Sequence, residues 1–214
     1  MNIAVSWFPV AIAALVAGCA NPEHSRNLAD PTVPATTLAQ QVCSGCHGMD
    51  GNSTAPTFPR LAGQQASYIV TQLKNFRSHQ RSDPAGYIYM WGLSRHLTDE
   101  QIEGLGDYFS KQMAHRSAWG GQADPKLLAA GKEIYEKGVP DQNVIACMAC
   151  HGPRAQGMGA FPRLAFQHGD YVLKQLDVFQ FTHHRPGTPM EQVTHPLTGN
   201  NKVAVAAYLE AFPD

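Results

Sequence analysis

Cysteine and histidine meet twice in one short pattern, C-S-G-C-H at 43–47 and C-M-A-C-H at 147–151. Two thiols three positions apart, followed at once by an imidazole, form the attachment pattern of c-type haem. Cys43 and Cys46 in one copy, and Cys147 and Cys150 in the other, add across the two vinyl groups of a porphyrin. His47 and His151 then lie under the iron as proximal ligands. The competing chemistry is a zinc site shared by both Cys pairs. Zinc ribbons close their pairs over a short loop, and here about a hundred residues intervene. Two thiols with the very next residue as third ligand also wrap a tetrahedral ion poorly. The expectation is two covalently bound haems c.

The sixth iron position decides what such a centre does. An open position binds small molecules, and a filled one suits electron transfer. Seven Met are available. Met1 belongs to the apolar N-terminus, Met49 and Met148 lie beside or inside the motifs, and Met158 follows His151 too closely to wrap a porphyrin. Met113 has no equivalent in the second half. Met90 and Met190 remain, each seven positions before a Leu (Leu97, Leu197), in stretches rich in Gly and Pro that read as loops. His79, His96, His183, His184 and His195 share that region and keep His/His ligation open.

These residues need elements to hold them, and the chain writes those elements twice. Cys43 maps to Cys147 at an offset of 104. F-P-R-L-A at 58–62 returns at 161–165, and Tyr68, Gln72, Leu73 and Phe76 return as Tyr171, Gln175, Leu176 and Phe179, all at an offset of 103. Met90, Leu97 and Tyr108 return as Met190, Leu197 and Tyr208 at an offset of 100. A repeat this long implies two globular domains, 37–113 and 125–214, joined by a linker at 114–124. Each reads as mostly helical. Ile69, Leu73 and Phe76, like Val172, Leu176 and Phe179, share one helical face. A helix is expected from Pro125 to Lys137, ended by Gly138. T-D-E-Q at 98–101 is a capping box opening the last helix of the first copy, and T-G-N-N at 198–201 is a weaker cap. Gly104 and Gly106 inside that helix align with Ala204 and Ala206. A mid-helix Gly costs ~1 kcal/mol against Ala. Either close helix crossing, with Gly131 as a partner, or local tolerance accounts for them.

Composition bounds the rest. The 214 residues carry 16 Lys and Arg against 17 Asp and Glu, a net charge of −1, and haem propionates would make the assembled protein more acidic. No basic run or basic-aromatic stripe suggests nucleic acid. Five Cys are present and the motifs use four. The fifth, Cys19, ends an apolar segment (3–17) as V-A-G-C, which resembles a bacterial lipobox. Residues 1–18 then read as a signal peptide, with Cys19 lipidated. An uncleaved anchor and an ordinary signal cut nearby are the alternatives, although the segment falls short of a ~20-residue span. Each reading exports the chain to the periplasm. Residues 19–36, with three prolines and no apolar period, read as a tether.

The two Cys-x-x-Cys-His units, each followed by an F-P-R-L-A segment, a Q-L-x-x-F helix and a Met seven before Leu, resemble the di-haem cytochrome c4 family. G-K-E-I-Y-E-K-G-V-P at 131–140 adds to the match, which spans 37–213. The resemblance implies an all-α protein, with two tandem cytochrome c domains related by a pseudo-twofold axis. It also implies His/Met ligation of both haems through His47 and Met90, and His151 and Met190, with propionates near the interface. By the same resemblance the carbonyls of Pro59 and Pro162 accept a hydrogen bond from the proximal His; otherwise both prolines only shape a loop. The implied function is electron transfer, from a donor such as a quinol-oxidising complex to a terminal oxidase or reductase, with no small-molecule substrate. A haem subunit of a dehydrogenase, such as a flavoprotein that oxidises sulfide, is the second reading. An enzyme in its own right is disfavoured, because the body has no spare Cys and both Met positions are filled.

Overall fold

The computed structural model describes residues 22–116 and 123–213. Cys19, residues 1–18 and linker residues 117–122 lie outside the described residues. The first half contains α1 (Pro22–Ser25) and α2 (Ala35–Leu38), which passes through a π-helical stretch, Ala39–Cys43, into α3 (Ser44–His47). Then come α4 (Ala66–Arg77), α5 (Pro84–Ser94) and α6 (Asp99–Ser110). The second half contains α7 (Pro125–Lys137), a 3-10 turn at Pro140–Gln142, α8 (Met148–His151), α9 (Gly169–Phe181), α10 (Met190–Thr194) and α11 (Gly199–Glu210). The described residues form no strand, only two isolated bridges. The all-α expectation and the doubled architecture both hold.

Each half buries its own core. Leu38, Ile69, Leu73, Leu97, Ile102, Leu105 and Phe109 fill the first. Tyr135, Val172, Leu176, Leu197, Val205 and Leu209 anchor the second. Each large apolar side chain withdrawn from water contributes about 1.5–3 kcal/mol. The expected faces of α4 and α9 are the buried ones. The full capping box forms at Thr98: its side chain accepts from Gln101 N, and the Gln101 side chain accepts from Thr98 N. Thr198 accepts from Asn201 N without a return bond from the Asn201 side chain. Asp124 caps α7, Pro125 opens it, and Gly138 ends it at a φ of 74°.

Two expectations change. Residues 19–36 do not form a leash throughout. Val33 is buried, and Leu28 and Ala35 pack against the first core. Gln101, whose amide is not consumed by its cap, donates to the carbonyls of Asp30 and Val33 at 2.9 and 3.0 Å. Ser25 Oγ donates to Gln41 Oε1 at 2.5 Å. The prolines thus shape a strap laid over the first domain. Nor do Met90 and Met190 sit in loops. Met90 lies in the second turn of α5, and Met190 opens α10. Gly86 and Gly92 masked a helix that Pro84 begins, with Asp83 before it at the N-cap.

The glycines of the last helices mark crossings. A Cβ on Gly104 would come within 2.5 Å of Ala35 Cβ on α2, and one on Gly106 within 2.9 Å of Ala66 O on α4. In the second half, a Cβ on Gly131 would come within 2.1 Å of Ala204 O on α11. Small residues let these backbones touch, the first of the two accounts given above.

The halves meet through a reciprocal pair of amides. Gln64 accepts from Arg163 N at 2.7 Å and donates to Arg163 O at 3.0 Å. Gln167 accepts from Arg60 N at 2.8 Å and donates to Arg60 O at 2.9 Å. Gln64 and Arg60 map to Gln167 and Arg163 at the same offset of 103, so the pattern is that of a pseudo-twofold interface. Both glutamines are buried, where an unmade hydrogen bond would cost about 1–3 kcal/mol.

Candidate haem centres

In each half the attachment cysteines sit at the end of a helix that delivers the His. Cys43 closes the π-helical stretch, Cys46 and His47 lie on α3, and Gly48 turns the chain away at a φ of 80°. In the second copy, Cys147 caps α8, Cys150 and His151 lie on it, and Gly152 turns away at a φ of 82°. None of the four motif cysteines is spent on a disulfide. Burial pushes Cys43 and Cys147 up to about 11.

Both histidines are buried, and each ring has one nitrogen engaged. His47 Nδ1 lies 2.8 Å from Pro59 O, and His151 Nδ1 lies 2.9 Å from Pro162 O. A carbonyl accepts only, so Nδ1 carries the proton and Nε2 is left with its lone pair. Such a bond fixes ring and tautomer for a metal on the other nitrogen. Burial also lowers both imidazoles toward the neutral, ligating form. Phe58 and Phe161 stand edge-on to the two rings, at 6.3 and 6.2 Å between centroids.

The two remaining Met candidates share an environment that the rival histidines lack. Cys43, Leu61 and Met90 are half-buried against the first core. Cys147, Leu164 and Met190 are half-buried against the second. Each core therefore has an apolar rim formed by an attachment Cys, the Leu of F-P-R-L-A and the Met. His79, His96, His183 and His195 are exposed instead. His79 accepts from or donates to Tyr87 Oη at 2.9 Å, His183 faces Glu191, and His184 meets Ser82 Oγ at 3.1 Å.

Sequence reasoning paired Gln72 with Gln175 and Tyr68 with Tyr171 but did not foresee what they build. Arg81 and Arg185 cross between the halves. Arg81 donates to Asp83 at 2.7 Å, Gln72 at 2.8 Å, and Tyr171 and Gln175 at 3.2 Å. Arg185 donates to Gln175 at 2.5 Å, Gln72 at 2.8 Å and Tyr68 at 3.1 Å. Burial would raise the Asp83 carboxyl, but pairing with Arg81 outweighs it and lowers it. Burial likewise opposes ionisation of Tyr68, and the Arg185 and Arg81 charges overcome that and lower its pKa. Two guanidinium groups share one carboxylate, which leaves a positive interface. The signal was in the repeat: Arg81 and Arg185 each fall shortly after a Q-L-x-x-F helix.

The residues fit two haems: a thiol pair in each motif, a lone pair on each buried ring and an apolar rim in each half. Comparison with known proteins agrees. The cytochrome c family profile matches residues 33–112 and again 128–212. The chain is 40% identical over 200 residues to cytochrome c-552 of Acidithiobacillus ferridurans, covering 92% of this chain and 84% of that protein. It is 35% identical to cytochrome c4 of Thiocapsa roseopersicina, covering 81% of this chain and 88% of the relative.

The chain belongs to the di-haem cytochrome c4 family. Its two haems c are held through Cys43 and Cys46, and through Cys147 and Cys150. Solved cytochromes c4 superimpose on it. The Acidithiobacillus ferrooxidans protein has a TM-score of 0.73 at 40% identity, covering 79% of this chain and 97% of that one. The reduced Pseudomonas stutzeri protein has a TM-score of 0.72 at 32% identity, covering 83% and 98%. Two further relatives, from Stutzerimonas stutzeri and Thiomonas intermedia, are named thiosulfate dehydrogenase electron acceptors, at 32% and 33% identity. A thiosulfate dehydrogenase (TsdBA) structure from Marichromatium purpuratum also matches, with a TM-score of 0.69, but this chain spans only 40% of it. As a cytochrome c4, the protein is an electron carrier.

Proposed function

We propose that this cytochrome c4 is an exported one-electron carrier, with His47 and Met90 as axial ligands in the first domain and His151 and Met190 in the second. One observation carries the reading: each half has a buried, carbonyl-anchored imidazole beside its attachment cysteines and a methionine half-buried against the same apolar core. The haem, when bound, supplies an iron that cycles between ferric and ferrous states. The chain does the rest. The Pro59 and Pro162 carbonyls hold the rings, and Met90 and Met190 would be the second iron ligands, whose thioether would exclude exogenous ligands and raise the potential relative to a second His. The apolar cores exclude water. The Arg81–Arg185 network ties the two halves together and would supply positive charge toward the haem propionates.

The donor is a quinol-oxidising complex and the acceptor a terminal oxidase. A lipid on Cys19 would confine the carrier to the membrane surface and raise its effective concentration at such partners. The second reading, service to a dehydrogenase, draws support from the relatives that accept electrons from thiosulfate dehydrogenase. The deciding experiment measures haem reduction by quinol-oxidising membranes and by purified thiosulfate dehydrogenase. Fast reduction by the membranes, with reoxidation by a terminal oxidase, supports the carrier. Reduction by the dehydrogenase alone selects the second reading. An N-terminal peptide without acyl mass, from fully soluble protein, would remove the anchor.

A further inference from the structure

The pseudo-twofold axis relates Arg60 to Arg163, yet the two guanidinium groups have different surroundings. Arg60 donates to His115 O at 2.5 Å and lies in the field of Glu210 and Asp50. Both carboxylates lack a counterpart beside Arg163. Glu210 maps to Ser110 at the offset of 100 that governs the last helices, and Asp50 maps to Arg154 at the offset of 104 that governs the haem motifs. Gly51 and Ala155 fix this second register: both have positive φ, and each carbonyl accepts from the Leu of F-P-R-L-A. Arg163 rests on the Phe166 ring, 5.2 Å from its centroid, with burial as the sole influence on its charge. Among the described residues, Arg163 Nε is the buried side-chain nitrogen or oxygen left without a hydrogen-bond partner.

A cavity lies beside it. It measures about 10 Å³, and its walls include Arg163, Arg60, Gln64, Gln167, Asn52 and His115. That is room for one water-sized particle. The side-chain amide oxygens on the wall are already engaged. Gln64 Oε1 takes the N–H groups of Arg163 and Gln65, Gln167 Oε1 those of Arg60 and His168, and Asn52 Oδ1 that of His115. A particle placed here meets two guanidinium groups and an unused N–H donor. Accepting hydrogen bonds from these groups favours it, and it gains from negative charge.

We propose that this interdomain cavity binds a single monatomic anion, a halide of chloride size, as the counter-ion of Arg163. The anion does for Arg163 what Glu210 does for Arg60. It makes the two sides of the interface electrically alike, although their sequences are not. A guanidinium N–H withdrawn from water without a partner is costly, so halide binding stabilises the docked pair of domains by mass action.

The test uses the holoprotein. Crystals grown with bromide in place of chloride should show an anomalous bromide peak in contact with the Arg163 guanidinium. The peak should vanish in Arg163→Gln. It should also vanish in Ser110→Glu, which restores the missing carboxylate from the protein side. In solution, wild-type protein should melt at higher temperature in bromide than in gluconate at equal ionic strength, and Ser110→Glu should melt alike in both. An ordered water, a haem propionate on Arg163, or an equal halide response in Ser110→Glu would overturn the proposal.

Discussion

The two halves solve one packing problem from opposite sides. In the first domain the last helix, α6, carries both glycines: Gly104 faces Ala35 on α2, and Gly106 faces Ala66 on α4. In the second domain the last helix carries alanines, and the glycines have moved to its partners. Gly131 on α7 faces Ala204, and Gly169 at the start of α9 faces Ala206. Each crossing keeps one Gly and one Ala, so the summed volume is held while the sequence differs. What the repeat preserves is therefore the contact between helices rather than the residue at either position. Polar groups are treated less evenly. Asp83 and Glu210 each occur on one side of the axis alone, and the full capping box at Thr98 has only half an equivalent at Thr198.

The largest effect should come where a new methyl meets backbone. Gly131→Ala drives Cβ onto Ala204 O, and neither atom has a rotamer to escape through. A loss of about 3 kcal/mol or more is expected from such overpacking. Adding Ala204→Gly should not restore it, because the clash is with a carbonyl. Chemical denaturation followed separately at each haem would show the second domain failing first.

Asp83→Asn removes the carboxylate from the Arg81 network. Breaking a buried pair costs about 3–5 kcal/mol. Arg81 keeps oxygen partners on Gln72, Tyr171 and Gln175, so about 2 kcal/mol is expected, read as a lower denaturation midpoint for the docked domains.

Gly104→Ala meets only the Ala35 methyl, and it gains ~1 kcal/mol of helix propensity. A net loss of about 1 kcal/mol is expected. Here the swap Ala35→Gly should rescue, moving the glycine to the partner helix as the second domain has done. Failure to rescue would break the volume-exchange account.

The smallest effect is electrostatic. The Glu210 carboxyl is held below its ordinary 4.5, first by the His168 contact. A lowered folded pKa contributes stability above the unfolded value and loses it as pH falls through the folded one. Glu210→Gln should therefore cost under about 1 kcal/mol at neutral pH. Wild type and variant should converge only as pH falls through the lowered Glu210 pKa, beneath its ordinary 4.5.

Much of this was legible from covalent and periodic signals. The haem attachment residues, the helix faces, the α7 boundaries and the Thr98 box follow from local chemistry that short spacing records. The strap at 28–36 was not legible. It depends on Gln101, about seventy residues away, and proline-rich sequence looks alike whether free or laid on a surface. The helix around Met90 was hidden because Gly86 and Gly92 weaken its propensity. Packing restores it: a Cβ at Gly86 would strike Asp83 and Phe76. The interface network was half legible, since the repeat named its residues but spacing cannot say which of them cross the axis.

The central claim is that each copy closes its iron with its own methionine. It is tested most directly by optical potentiometric titration of wild type, Met90→Ala and Met190→Ala. The account predicts that each variant loses the Met-to-ferric charge-transfer band of one haem, by half the wild-type amplitude, and lowers that haem's potential while the other is unchanged. A variant that keeps both haems at wild-type band and potential would contradict it and place the ligand elsewhere.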